Sequence, residues 1–232
     1  PGVARLKEPG KEVVIKGKRN KLLIAGIPLK ECSKTADFLT DSFSIPCEVL
    51  PNYLSVTLTP SNPILHTTRL KTLFNNYHDG VFYTTNPLFY EQWDDESSKL
   101  LLACDDELQA ICSKLVQIDL HQVKSLKVHY ESNSYSQLTQ KLKSIKSLQG
   151  LSSPLIETSQ GFIPDFSSRY FVADFPYGLA ILIQFAKIVQ LHTPHMLQTL
   201  SWYENISGNI SNFRLEDYGI KNADDIYAFY LR

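Results

Sequence analysis

The sequence predicts a mainly α protein whose helical part is preceded by a short α/β segment. Two patterns carry this prediction. Up to about residue 59, β-branched runs surround a single helical stretch. Beyond Pro60, apolar residues recur at spacings of three and four through successive segments. The chain has 232 residues, 43% of them apolar, with 12 Tyr, 12 Phe and 2 Trp, and can bury a core without disulfide or metal staples.

Taken in order, Glu12–Lys16 (Val13, Val14, Ile15) and Lys21–Ile27 (Leu22, Leu23, Ile24) read as strands joined by a Gly-Lys-Arg-Asn turn. Pro28 closes the second strand, and Leu29, Cys32, Ala36, Leu39 and Phe43 mark a helix. Cys47–Leu50 resumes as a strand and stops at Pro51-Asn52. Strand–helix–strand order belongs to α/β sheets, and so short a piece does not form a stable layer alone. Residues 1–59 therefore read as the tail of a larger α/β unit. Asn62-Pro63 starts a helix, Asn as the cap and Pro where a missing N–H costs nothing. Residues 97–118 form the longest helical pattern, with Asp94, Asp95 and Glu96 at its positive end. Val123–Val128 reads as a short strand or turn, and Ser136–Leu148 as a basic amphipathic helix ended by Gly150. Tyr177–Leu191 and Pro194–Tyr203 are two helices parted by His192-Thr193, and Asp224–Arg232 is a last helix.

Composition excludes several classes. With 23 Lys+Arg against 24 Asp+Glu, a net charge of −1 argues against a nucleic-acid binder. The longest apolar stretch, Tyr177–Phe185, is too short for a bilayer and contains Gln184, so no membrane partner is expected. Cys32, Cys47, Cys104 and Cys112 include no CxxC pair and read as reduced thiols of a cytoplasmic protein. Residue 1 is proline and the only methionine is Met196, which suggests a piece of a longer chain. No GxGxxG, GxxxxGK[ST], HExxH or GxSxG occurs, so a dinucleotide, if used, is held by residues outside this sequence.

Two constellations can carry chemistry. In Pro60-Ser-Asn-Pro-Ile-Leu-His66-Thr-Thr-Arg69, His66 falls near a helix start, three residues before Arg69 and on its face. A helix N-terminus and a neighbouring Arg both disfavour the imidazolium and leave a neutral ring able to exchange a proton; a packing histidine is the plainer alternative. In Ser168-Arg169-Tyr-Phe-Val-Ala-Asp174-Phe-Pro176-Tyr-Gly178, Arg169 and Asp174 do not share a face of a straight helix. A break at Pro176 lets them converge, although an acid before a Pro-initiated helix is also an ordinary charge partner. His192-Thr-Pro-His195 lacks a neighbouring Cys or acid, and no metal site is expected. The Asp pairs 94–95 and 105–106 read as solvated or helix-start charges, and Lys141, Lys143 and Lys146 as a solvated face.

An NPxxH helix start at His66 followed by RYFxxDxPYGL from Arg169 to Leu179 resembles the opine dehydrogenase family, the octopine and nopaline type. The resemblance covers about residues 60 to 205. Among its branches the chain is similar to the metallophore-forming enzymes such as the staphylopine type. The resemblance implies a Rossmann-type nucleotide-binding domain, of which residues 1–59 are the C-terminal remnant, and a helical substrate domain at 60–232. It implies NADPH or NADH as cofactor, bound mainly by the missing part, and small-molecule partners: an amine and an α-keto acid such as pyruvate. These form an imine that hydride reduces to a secondary amine. By the match, His66 is the acid/base residue, Arg169 binds a substrate carboxylate, and Asp174 orients the pair. A homodimer is compatible with all of this.

The chemistry asks for these residue types. A guanidinium grips a planar carboxylate bidentately, histidine moves protons near neutral pH, and a carboxylate beside it sets the tautomer. A contacting Asp174 outweighs the helix end and favours the charged ring. Two rivals follow: a Rossmann-plus-helical keto-acid reductase of the 3-hydroxyacid or ketopantoate type, and a non-catalytic helical dimerisation module.

Overall fold

The computed structural model describes residues 2–231; Pro1 and Arg232, the last residue of the expected C-terminal helix, lie outside them. The chain opens with β1 (Gly2–Glu8) and β2 (Glu12–Lys18), paired antiparallel. This corrects the expected hairpin. Glu12–Lys16 is a strand, but its partner precedes it, because Gly10 at φ +74° closes the turn between Glu8 and Glu12. The expected partner instead forms β3 (Leu22–Ile24), which pairs in parallel with β4 (Cys47–Val49) across helix α1 (Cys32–Phe43). A parallel pair needs such a crossover, so the strand–helix–strand reading holds.

Helix α2 (Tyr53–Leu58) follows, capped by Asn52, whose Oδ1 accepts from Ser55 N–H at 2.9 Å. Its Leu54 and Leu58 belong to the main core. Helix α3 (Asn62–Leu73) begins one residue earlier than predicted. Ser61 is the cap and no side chain bonds there, so Asn62 is a helical residue rather than the cap. Helix α4 (Asp95–Lys114) is capped by Asp94, whose Oδ1 accepts from Ser97 N–H at 2.7 Å. Asp105, expected in solvent, is buried on α4, where its carboxylate caps α5 (Leu126–His129) by accepting from Leu126 N–H at 2.7 Å. The span Val123–Val128, expected as a strand or turn, holds no strand: a bend at Val123 leads into the helical turn of α5. Helix α6 (Tyr135–Ser144) ends before a separate turn at Lys146–Leu148.

A second hairpin, β5 (Leu155–Thr158) with β6 (Gly161–Pro164), lies where no element was predicted. Helix α7 (Arg169–Val172) runs into a π-helical segment, Phe175–Leu179, and then α8 (Ala180–Ile188). Pro176 does not break the chain here. It has no N–H to offer, and the ladder shifts to i→i+5, with Leu179 N–H donating to Asp174 C=O at 2.8 Å. The continuous 20-residue helix 169–188 is long and apolar enough to cross a membrane by composition, yet half of it is buried within this protein, Phe171, Phe175 and Phe185 included. Helix α9 (Pro194–Ser207) docks on α4 through Glu107, whose carboxylate accepts from the N–H groups of His195 at 2.8 Å and Met196 at 3.0 Å. Helix α10 (Ala223–Tyr230) ends the described chain with a capping box at Asn222. One apolar core, built mostly from α3, α4, α8 and α9, spans the helical part.

Candidate active site

The two sequence constellations meet because of a small residue. A Cβ on Gly178 would lie 3.0 Å from Pro63 Cβ, so any larger residue would force the π segment and the start of α3 to give way. That contact brings His66, in the second turn of α3, against Asp174 at the head of the π segment. Nδ1 of His66 lies 2.8 Å from Asp174 Oδ2, with side chains 5% and 19% exposed. The π segment turns Asp174 onto α3 rather than toward Arg169: the two do not form an ion pair among the described residues, so the expected convergence at a Pro176 break is replaced by the pairing of Asp174 with His66.

Nε2 of His66 lies 2.9 Å from the hydroxyl of Tyr90. With Asp174 accepting from Nδ1–H, the neutral ring presents a lone pair at Nε2, and the Tyr90 hydroxyl donates to it. Burial, with the charges of neighbouring Tyr170, Tyr130 and Asp174, pushes the Tyr90 phenol far above its ordinary range against the opposing pull of Arg169, so the hydroxyl keeps its proton. Nothing in the sequence singled out Tyr90. It lies in an irregular segment before α4, and twelve tyrosines share the chain.

Arg169 opens α7 and is exposed, with Cζ 5.8 Å from the centroid of the Tyr170 ring and no ion pair among the described residues. Tyr170 also stands edge-on to His66, centroids 4.6 Å apart. Burial raises the Tyr170 phenol, and Arg169 opposes that rise. Imidazole and guanidinium therefore flank one aromatic ring. A cavity of about 630 Å³ lies between α8, α9 and the 211–221 segment, and one of about 470 Å³ between α3, α4 and α9; none of the three residues lines either. His66 sits among Phe89, Tyr90 and Tyr170, Asp174 is partly exposed, and Arg169 faces solvent.

Arg69 does not act on His66 as expected from their shared face. Its guanidinium is buried and turned toward α4, donating to Asp94 Oδ2 at 2.8 Å, Ser97 Oγ at 3.1 Å, Gln92 C=O at 2.7 Å and Phe89 C=O at 3.3 Å. Burial alone would raise the Asp94 carboxyl, but the Ser97 bonds and Arg69 hold it below its ordinary range. His195 pairs with Glu107 at 2.8 Å, and no cluster of three His, Cys, Asp or Glu among the described residues is suited to a metal. The turn from β3 to α1 carries Gly26 alone, and α1 opens beside Glu31, whose charge repels an anion.

Residues 49–207 match the family described as NAD/NADP octopine/nopaline dehydrogenase, alpha-helical domain, and the chain belongs to that family. Among known proteins it is similar to the tauropine dehydrogenase of Arabella iricolor, 26% identical over 250 residues, covering 99% of this chain and 62% of that one. It is also similar to the octopine dehydrogenase of Mizuhopecten yessoensis, 25% identical over 90% of this chain and 55% of that one. The chain thus spans less than two thirds of the length of these relatives. A solved octopine dehydrogenase with NADH and L-arginine superposes with a TM-score of 0.76 at 21% identity, over 97% of this chain and 62% of that one, and shows that the fold is shared.

Proposed function

We propose that this chain is the substrate-binding portion of an NAD(P)H-dependent opine dehydrogenase. The reaction joins an amino-acid-type amine to an α-keto acid such as pyruvate and reduces the imine to a secondary amine. Residues 1–59 are the remnant of the nucleotide-binding α/β domain and 60–232 the helical substrate domain. The reductant, NADH or NADPH, supplies hydride and is held by another part of the enzyme; the single Gly26 in the β3–α1 turn and Glu31 at the head of α1 support this. The carrying observation is the His66–Asp174 hydrogen bond, 2.8 Å long and sheltered, beside an exposed Arg169 that has no ion pair among the described residues, in a stretch that matches the family.

Each residue has a distinct task. Arg169 grips the keto-acid carboxylate and fixes the carbonyl carbon. His66 handles the proton that must move when the carbinolamine loses water. Asp174 fixes the ring tautomer and steadies the imidazolium in passing. Tyr170 and Phe89 keep bulk water from the imine. The enzyme works in the cytoplasm, and residues 1–232 alone do not turn over. The relatives named above are octopine and tauropine dehydrogenases, and the solved octopine dehydrogenase holds L-arginine, which supports an amine of the amino-acid class; a metallophore precursor is a more elaborate member of that class.

The test is NADH or NADPH oxidation by the intact enzyme with pyruvate, in the presence and absence of a panel of amino acids. Oxidation that requires both substrates is expected. Oxidation with keto acid alone identifies a keto-acid reductase and overturns the reading. No oxidation under any condition favours the non-catalytic module.

A further inference from the structure

The proton acceptor of His66 is not open to a substrate. Asp174 occupies Nδ1 and the Tyr90 hydroxyl occupies Nε2. Tyr90 is also not free to swing aside. It is 6% exposed, stacks on Trp93 at 6.1 Å with planes 10° apart, and meets Phe89 edge-on at 5.0 Å. Trp93 is itself held by its Nε1–H bond to Ser98 Oγ at 2.9 Å. Arg69 binds the backbone carbonyls of Phe89 and Gln92, on either side of Tyr90. The ring is clamped, so a proton leaving Nε2 has the Tyr90 oxygen as its next station.

We propose that Tyr90 is a catalytic residue of this site: its hydroxyl exchanges the proton with the substrate, and His66, backed by Asp174, refills it. The inference rests on the opine dehydrogenase reading and deepens it. Tyr170 stands 4.6 Å from the His66 ring and 5.8 Å from the Arg169 guanidinium, so the substrate-gripping charge and the relay border one aromatic patch.

The step balances. Before it, His66 is the imidazolium, Nδ1–H on Asp174 and Nε2–H on the Tyr90 oxygen. The Tyr90 O–H proton goes to the hydroxyl of the carbinolamine, the C–O bond breaks with its electron pair, and water leaves. The nitrogen lone pair closes the C=N bond, giving the iminium. The Nε2–H proton moves to the Tyr90 oxygen, so the phenol ends neutral, His66 ends neutral, and the positive charge has passed to the substrate. No free phenolate accumulates, as its burial requires.

The experiment is a double-variant cycle in the intact enzyme: Tyr90→Phe, His66→Ala and both together, assayed as amine-dependent NADH oxidation. Tyr90→Phe keeps the ring and its packing. A relay predicts that it lowers kcat about 10²-fold while the keto-acid KM stays within about threefold. It also predicts that the double variant is no worse than His66→Ala alone, because the two groups act as one unit. A Tyr90→Phe kcat within about threefold of wild type, a rise in kcat, or losses that multiply in the double variant each overturn the inference while leaving the reading of the enzyme intact. A wild-type enzyme without amine-dependent oxidation overturns the reading, and the relay falls with it. If Tyr90→Phe does not fold, 3-fluorotyrosine at position 90 keeps shape and hydroxyl while making the phenol more acidic. A kcat altered by more than about twofold is then expected, and an unaltered one overturns the relay.

Discussion

Replacing Arg69 by alanine is expected to destabilise the helical part severely, and the structure allows the size of the effect to be worked out. The side chain is 2% exposed and donates to four oxygens. They do not lose equally. Asp94 is half exposed and re-solvates, and Ser97 Oγ keeps a 2.6 Å bond to Thr72. Phe89, fully buried, is left with an orphaned carbonyl, and Trp93, 5.5 Å from the guanidinium, loses its cover. Loss of a buried charged partner with these consequences costs about 3–5 kcal/mol. At about 2–4 °C per kcal/mol for a chain of this size, Tm falls by about 6–20 °C. Arg69→Lys, with a single point charge in place of the fork, falls between. The assay is denaturant unfolding of the intact enzyme followed by far-ultraviolet circular dichroism. A loss below about 1 kcal/mol would refute the claim that Arg69 clamps the segment carrying Tyr90.

Asp105 provides a pH test. Burial pushes its carboxyl up to about 6, against the Leu126 N–H bond, while an unfolded Asp titrates near about 4. The fold thus favours the protonated form, and this contribution is complete below about pH 4 and lost as pH rises through about 6, on the order of 2–3 kcal/mol. Asp105→Asn should flatten that segment of a stability–pH curve, and an unchanged slope would contradict the assignment. Asp174→Asn keeps an acceptor for Nδ1–H but removes the charge; kcat/KM is expected to fall at least about tenfold with the fold intact by circular dichroism. Gly178→Ala places a methyl against Pro63, pushes α3 from the π segment, and should lower kcat and Tm together.

What the sequence made legible follows from how local the cause is. The start of α3, the long α4 with Asp94 at its head, and the Cys47 strand all follow from residues within a few positions of one another. Pairing is not local. The strand at Glu12 was visible, but whether it folds onto residues before or after it depended on Gly10. The β5–β6 hairpin carries too little alternation to stand out in eight residues. At the site, the two motifs named His66, Arg169 and Asp174. Pro176 was read as a break, whereas the chain absorbs its missing donor by widening to a π turn. Tyr90 and the Arg69 clamp stayed hidden because irregular backbone has no period to read.

The most direct measurement of the central claim is kcat/KM for the keto acid in the intact enzyme carrying His66→Ala or Arg169→Ala. Each is expected to fall on the order of 10²-fold or more, with NADH or NADPH binding retained. Wild-type-like turnover in both variants would mean that imidazole and guanidinium are structural, and the site would have to be sought elsewhere.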